Sequence, residues 1–73
     1  MSDHSQKELD IRFTYHPPKP GQAEKYETLR KMARTYAEAI EAFCPDSREK
    51  AIALTKLEES NMWANASIAR REL

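Results

Sequence analysis

The segment CPDSREK, residues 44–50, interrupts two long stretches of helical periodicity, and it limits the architecture more than any other feature of the sequence. Pro45 lacks an amide hydrogen and its ring clashes with the preceding turn, so a helix arriving at Cys44 has to stop there. Asp46 is a good cap residue, and Glu49 three positions later completes the reciprocal pattern of a helix start. The link is too short for anything but a reversal. Two long helices joined this tightly fold back as an antiparallel hairpin, with helices predicted over 22–43 and 46–71. Turn chemistry accounts for the Cys-Pro pair.

In the first stretch Tyr26, Leu29, Ala33, Tyr36, Ile40 and Phe43 step by three and four, a heptad-type seam on one side of an amphipathic helix. Glu27 with Lys31 and Arg34 with Glu38 have the spacing of solvent-exposed pairs on the other side. The second stretch is apolar on two faces. Leu54, Leu57, Ala64 and Ile68 form one, and Ala51, Ile52, Met62, Trp63, Ala66 and Ala69 fall on roughly the opposite half. One partner helix can cover only one of them, so the other is expected to bury against further subunits. Asn61 and Asn65 interrupt these runs and either hydrogen-bond across an interface, setting its register, or face water.

Ahead of the hairpin the chain reads differently. Residues 1–8 are polar and expected to be mobile. From Leu9 to Tyr15 apolar and polar residues alternate, which suits an extended strip, with a short helical turn at its beginning as the alternative. Pro17, Pro18 and Pro20 then restrict the backbone and disfavour helix in the residues before them, so residues 9–21 form an arm and helix starts near Gly21.

A chain of 73 residues makes one small domain, 9–73 here, and buries a smaller fraction of its surface than a larger one does. Small scaffolds make up the deficit with disulfides, a metal or self-association. The single cysteine, Cys44, excludes an internal disulfide and fits a reducing compartment. His4, His16 and Cys44 are scattered, with no pair at ligand spacing, so neither a metal nor another cofactor is expected. Self-association is the remaining remedy. Twelve basic residues balance twelve acidic ones, which argues against binding a nucleic acid polymer. No apolar run is long enough for a membrane span or a signal peptide core, so a soluble, cytoplasmic protein is expected.

Catalysis finds little support. The sequence has no nucleophile constellation, glycine-rich phosphate loop or metal-binding histidine pair, and the adjacent Glu58 and Glu59 diverge on a helix rather than oppose each other. Binding is better supplied. Arg12, Tyr15, His16 and Lys19 lie on the arm, Lys25, Arg30 and Lys31 near the start of the first helix, and Arg70 and Arg71 at the end of the second. An antiparallel hairpin brings these to one end, where aromatic rings could stack on bases and cations pair with phosphates. The competing reading is that Phe13 and Tyr15 merely pin the arm while the cations are solvated.

The blocks RFTYHPP, EKYETLR and CPDSREKAIALTKLEESNMWANASIARRE, spanning about Arg12 to Glu72, resemble a family of small bacteriophage hairpin proteins typified by the second anti-CBASS type, a cyclic-oligonucleotide sponge. The resemblance implies an all-α protein: an antiparallel two-helix hairpin with an extended or short-helical N-terminal arm, assembled as a homohexamer. It implies that the chain sequesters the cyclic di- and trinucleotide messengers of host CBASS immunity in the bacterial cytoplasm, without cleaving them. Carried over by position, Tyr15 is a base-stacking platform and Arg30 a contact to phosphate or base, with a planar fork where relatives with lysine offer a point charge. Arg71, with Arg70 beside it, suits a trinucleotide's phosphates near a symmetry axis. His16 and Lys25 complete the expected ligand-binding set. A polar contact of the family falls near Met32, which is apolar here and weakens the trinucleotide assignment. Three other readings compete: an oligomerising hairpin adaptor, a trap for cyclic ADP-ribose-type signals, and an RNA-binding hairpin.

Overall fold

The computed structural model describes residues 3–72; residues 1 and 2 of the expected mobile segment and residue 73 of the expected domain lie outside them. The described residues form three helices and no strand: α1 (Asp3–Phe13), α2 (Gln22–Phe43) and α3 (Arg48–Arg71). α2 and α3 form the antiparallel hairpin. At its open end Gln22 Nε2 donates to the Ile68 carbonyl at 3.4 Å and to Glu72 Oε1 at 3.1 Å, and at the closed end Lys50 reaches back to Glu41.

The start of α2 is built by a turn. Gln22 N donates to the Lys19 carbonyl at 3.0 Å, and Gly21 sits at φ 86°, ψ −16°, the signature of a type II turn with Pro20 at its second position. Only glycine adopts that φ without strain. Gln22 then uses its side chain in place of a cap, accepting from the Lys19 amide at 2.8 Å, and is itself buried.

The start of α3 differs from the expected one. Ser47, not Asp46, caps the helix: its extended backbone puts Oγ in front of the Lys50 amide, 3.1 Å away, so α3 begins at Arg48 rather than at residue 46. The Asp46 carboxylate instead faces the Lys50 ammonium at 3.0 Å, which also pairs with Glu41 Oε1 at 2.9 Å and donates to the Glu41 carbonyl at 3.2 Å. Lys50 is only 8% exposed, and the hydrogen bonds it donates, to Glu41 first and Asp46 second, raise its pKa above 10.5.

Before the hairpin the alternation of Leu9 to Tyr15 proves a poor guide. α1 takes in residues 3–13, so positions 3–8, expected to be mobile, and Leu9 to Phe13, read as an extended strip, are helical. The helical alternative for the beginning of the arm holds, and the non-helical arm is confined to residues 14–21. Period-two spacing over so few residues does not exclude helix, and one of the open carbonyls in the last turn of α1, that of Ile11, accepts from His16 Nε2 at 2.7 Å.

Packing is thin. Ile40 is the one buried apolar side chain among the described residues, and Tyr36 and Phe43 of the expected seam are exposed. On α3, Ile52, Met62 and Trp63 are exposed, as the second apolar face predicts, whereas Ala66 and Ala69 are half-buried and line the clefts beside the arm. The molecule measures 49 × 31 × 13 Å, about one helix thick. Its radius of gyration is 16.0 Å, where a compact chain of this length has about 11 Å. Its surface is 6007 Å², where a compact monomer of this mass exposes about 4,700 Å².

Candidate functional site

Two concavities share Arg12, Ala66 and Arg70, one lined also by the arm and the other by α1. The first, of about 490 Å³, is lined by Tyr15 and His16 from the arm, Tyr26 and Arg30 from the first turns of α2, and Asn65 and Arg70 from the end of α3. Each contribution follows from local structure. The Pro-Pro segment ends helix formation and carries Tyr15 out of α1, leaving its ring 80% exposed. His16 is tied by one ring nitrogen to the Ile11 carbonyl, so it pins the arm as well as lining the cleft. Tyr26 and Arg30 lie one turn apart on α2 and share a face.

Charge is available here. Among the described residues neither Arg30 nor Arg70 forms an ion pair. Two guanidiniums without carboxylate partners, beside two tyrosine rings, can take a phosphate in bidentate fashion and a base in a stack. Beneath them Asn65 is half-buried with its Oδ1 closed off from solvent and without a donor among the described residues. That oxygen neither faces water nor finds a donor among the described residues.

The second concavity, of about 470 Å³, lies between α1 and the outer flank of α3, where Arg12, Phe13, Trp63, Arg70 and Arg71 meet Glu8. Arg71 is paired: Nη2 donates to Glu8 Oε1 at 2.6 Å and Nη1 to Oε2 at 3.3 Å, while Arg12 Nε donates to Oε1 at 3.3 Å. The Arg71 hydrogen bonds foremost lower the Glu8 pKa, and Glu8 in turn raises that of Arg71.

The expected binding residues are therefore divided. Tyr15, His16, Arg30 and Arg70 come together in one cleft; Arg71 lies in the neighbouring one, and Arg12 and Arg70 line both. Lys25 lies elsewhere, on a face shared with Gly21, Leu29 and Ile68, and pairs with Glu72, whose pKa it lowers together with Gln22. Met32 lies on another groove of the hairpin, with Tyr36 and Leu57. Sequence reasoning assigned Tyr26 to the seam and Trp63 to an interface and overlooked Glu8; the i,i+4 spacing of Tyr26 to Arg30 was the one available signal for a shared site.

Among the described residues no group of three or more His, Cys, Asp or Glu could hold a metal, and no helix is long and apolar enough to cross a membrane. The one carboxylate that lines either cleft, that of Glu8, is engaged by two arginines.

No curated protein and no solved structure matches the chain. A family model does: the one described as Acb2/Tad1, hairpin domain, matches residues 5–69, a span that takes in the arm, all of α2, most of α1 and α3, and every lining residue of the first cleft except Arg70. With that span covered, and with the hairpin the family's description names present in its helices, the chain belongs to the Acb2/Tad1 hairpin domain family.

Proposed function

We propose that this protein captures cyclic di- and trinucleotide second messengers and holds them intact, as a bacteriophage anti-defence protein acting in the cytoplasm of the infected bacterium against CBASS immunity. The observation that carries the reading is the meeting of Tyr15 with the unpaired Arg30 and Arg70 in one cleft of a chain of this family. A base stacks on the tyrosine, the planar guanidiniums take the phosphates, and His16 and Tyr26 border the same space. Retention without cleavage is part of this proposal: the cations and rings that line the cleft are groups that bind, and His16 is engaged in pinning the arm.

The working unit in this proposal is a homo-oligomer, a hexamer by family resemblance. Three observations support self-association: a layer one helix thick, an excess of surface over a compact monomer, and the exposure of Met32, Tyr36, Ile52, Met62 and Trp63. The cleft points the same way. It is open to solvent and Tyr15 presents a free ring face, so a second copy would close it over the ligand and offer matching groups to the two halves of a cyclic dinucleotide. A closed pocket slows release, which a stoichiometric trap requires.

A thermal-shift panel of cyclic dinucleotides, cyclic trinucleotides and cyclic ADP-ribose species tests this reading, followed by heating to recover the ligand. The expected result is a rise in melting temperature with the cyclic oligonucleotides and their recovery unaltered. No shift with any of them points to an assembly adaptor, a shift with cyclic ADP-ribose alone to a different messenger, and cleaved products to an enzyme.

A further inference from the structure

We infer that Glu8 is a built-in competitor for the ligand of the Arg71 cleft, and that α1 is the latch which has to swing away before that cleft fills. The ligand's identity rests on the cyclic-nucleotide reading; the latch does not.

The geometry is that of a carboxylate standing where a phosphate would sit. Arg71 grips Glu8 through both terminal nitrogens, at 2.6 and 3.3 Å, the fork arrangement with which a guanidinium also holds a phosphate. Arg12 adds a third hydrogen bond to the same carboxylate at 3.3 Å. Around this cluster Trp63 supplies flat apolar surface that stays on α3 when α1 moves, and Arg70, also on α3, supplies a cation with no acidic partner among the described residues. Every group needed to bind an anionic nucleotide is therefore present, and the anion already there belongs to the chain.

The latch is also light. α1 has no buried residue, and the Arg71 and Glu8 side chains retain 52% and 25% of their exposure. Exposed ion pairs contribute little to stability, so a multiply charged ligand, offering more oxygens than one carboxylate, can displace Glu8 without unfolding the hairpin. α1 leads through Phe13 directly into Thr14, Tyr15 and His16, which line the other cleft. Displacement of Glu8 thus reaches the arm.

Hydrogen exchange of amides 4–13 in the full chain, with pyrophosphate and with a cyclic trinucleotide, tests the latch; calorimetry of the cyclic trinucleotide on Glu8→Gln tests the competition. Both anions are expected to speed exchange in α1. Glu8→Gln should speed it without ligand and tighten cyclic trinucleotide binding several-fold, while Arg71→Gln should free α1 and abolish the response to both anions. The inference is overturned if neither anion alters exchange of α1, or if the parent binds the trinucleotide and Glu8→Gln binds it no tighter. Should pyrophosphate free α1 while no cyclic nucleotide binds, the latch stands and the cyclic-nucleotide reading fails. Capture of cyclic nucleotides with α1 exchange unchanged would sustain that reading and remove the latch.

Discussion

The two ends of the hairpin use charge in opposite ways. At the closed end Lys50 is withdrawn from solvent and meets Glu41, Asp46 and a backbone carbonyl, so its charge is consumed in holding the turn. The open end clasps the helices with Gln22, Lys25 and Glu72, yet leaves Arg30 and Arg70 without carboxylate partners beside exposed aromatic rings. A satisfied cation stabilises the fold; an unsatisfied one among rings is available to a ligand. Cations alone therefore do not mark a site, and the inventory of partners separates the two uses.

Tyr15→Ala puts this contrast under the greatest strain. Base stacking is worth about 1–3 kcal/mol, so cyclic dinucleotide affinity by calorimetry is expected to fall by about 5- to 150-fold, while the hairpin melts as before. Unchanged affinity would remove Tyr15 from the site and with it the functional meaning of the open end.

Next in size is Gly21→Ala. Nothing lies within 4 Å of the added methyl, so the cost is that of a positive φ, about 1–2 kcal/mol, and a domain of this size loses roughly 4–8 °C in melting temperature per kcal/mol. Ser47→Ala removes the cap of α3 and should cost about 1 kcal/mol, read as a melting-temperature loss of roughly 4–8 °C with ligand affinity unchanged. If it weakened capture as well, the two ends would not be independent.

The smallest effects are those of pH, and they differ in sign between the ends. Glu8 and Glu72 have pKa values below the ordinary 4.5, Glu8 chiefly through Arg71 and Glu72 chiefly through Lys25. The unfolded chain binds more protons than the folded one in this range, so their contribution is full above pH 4.5 and is lost as pH falls through the folded values. Lys50 is raised above 10.5, so its contribution is full below that pH and is lost as pH rises through its folded value. Acid should loosen the open end first, seen as a change in Trp63 fluorescence; alkali should weaken the closed end, seen in thermal melts followed by circular dichroism.

Much of the fold was legible because its causes are local. Pro45 and the three- and four-residue apolar steps required two helices, and the short link required their reversal. Short-range alternatives were harder to separate. Asp46 and Ser47 are both good caps, and what assigns them is Lys50, whose amide takes Ser47 while its ammonium takes Asp46. Leu9 to Phe13 alternate as a strand would, but the same residues complete a helix whose Glu8 is held by Arg71 across the fold.

The site divides along the same line. That the cations and rings of the arm, the start of α2 and the end of α3 share one end follows from the antiparallel reversal, and so was readable from residue types and spacing. Which cations remain unpaired was not, because pairing depends on the direction a side chain takes in space: Glu8 finds Arg71 across 63 positions and Glu72 finds Lys25 across 47, separations that no local pattern encodes. Periodicity and turn chemistry act over a few residues and specify helices and their reversal; the partners of charged groups are decided only when distant segments meet.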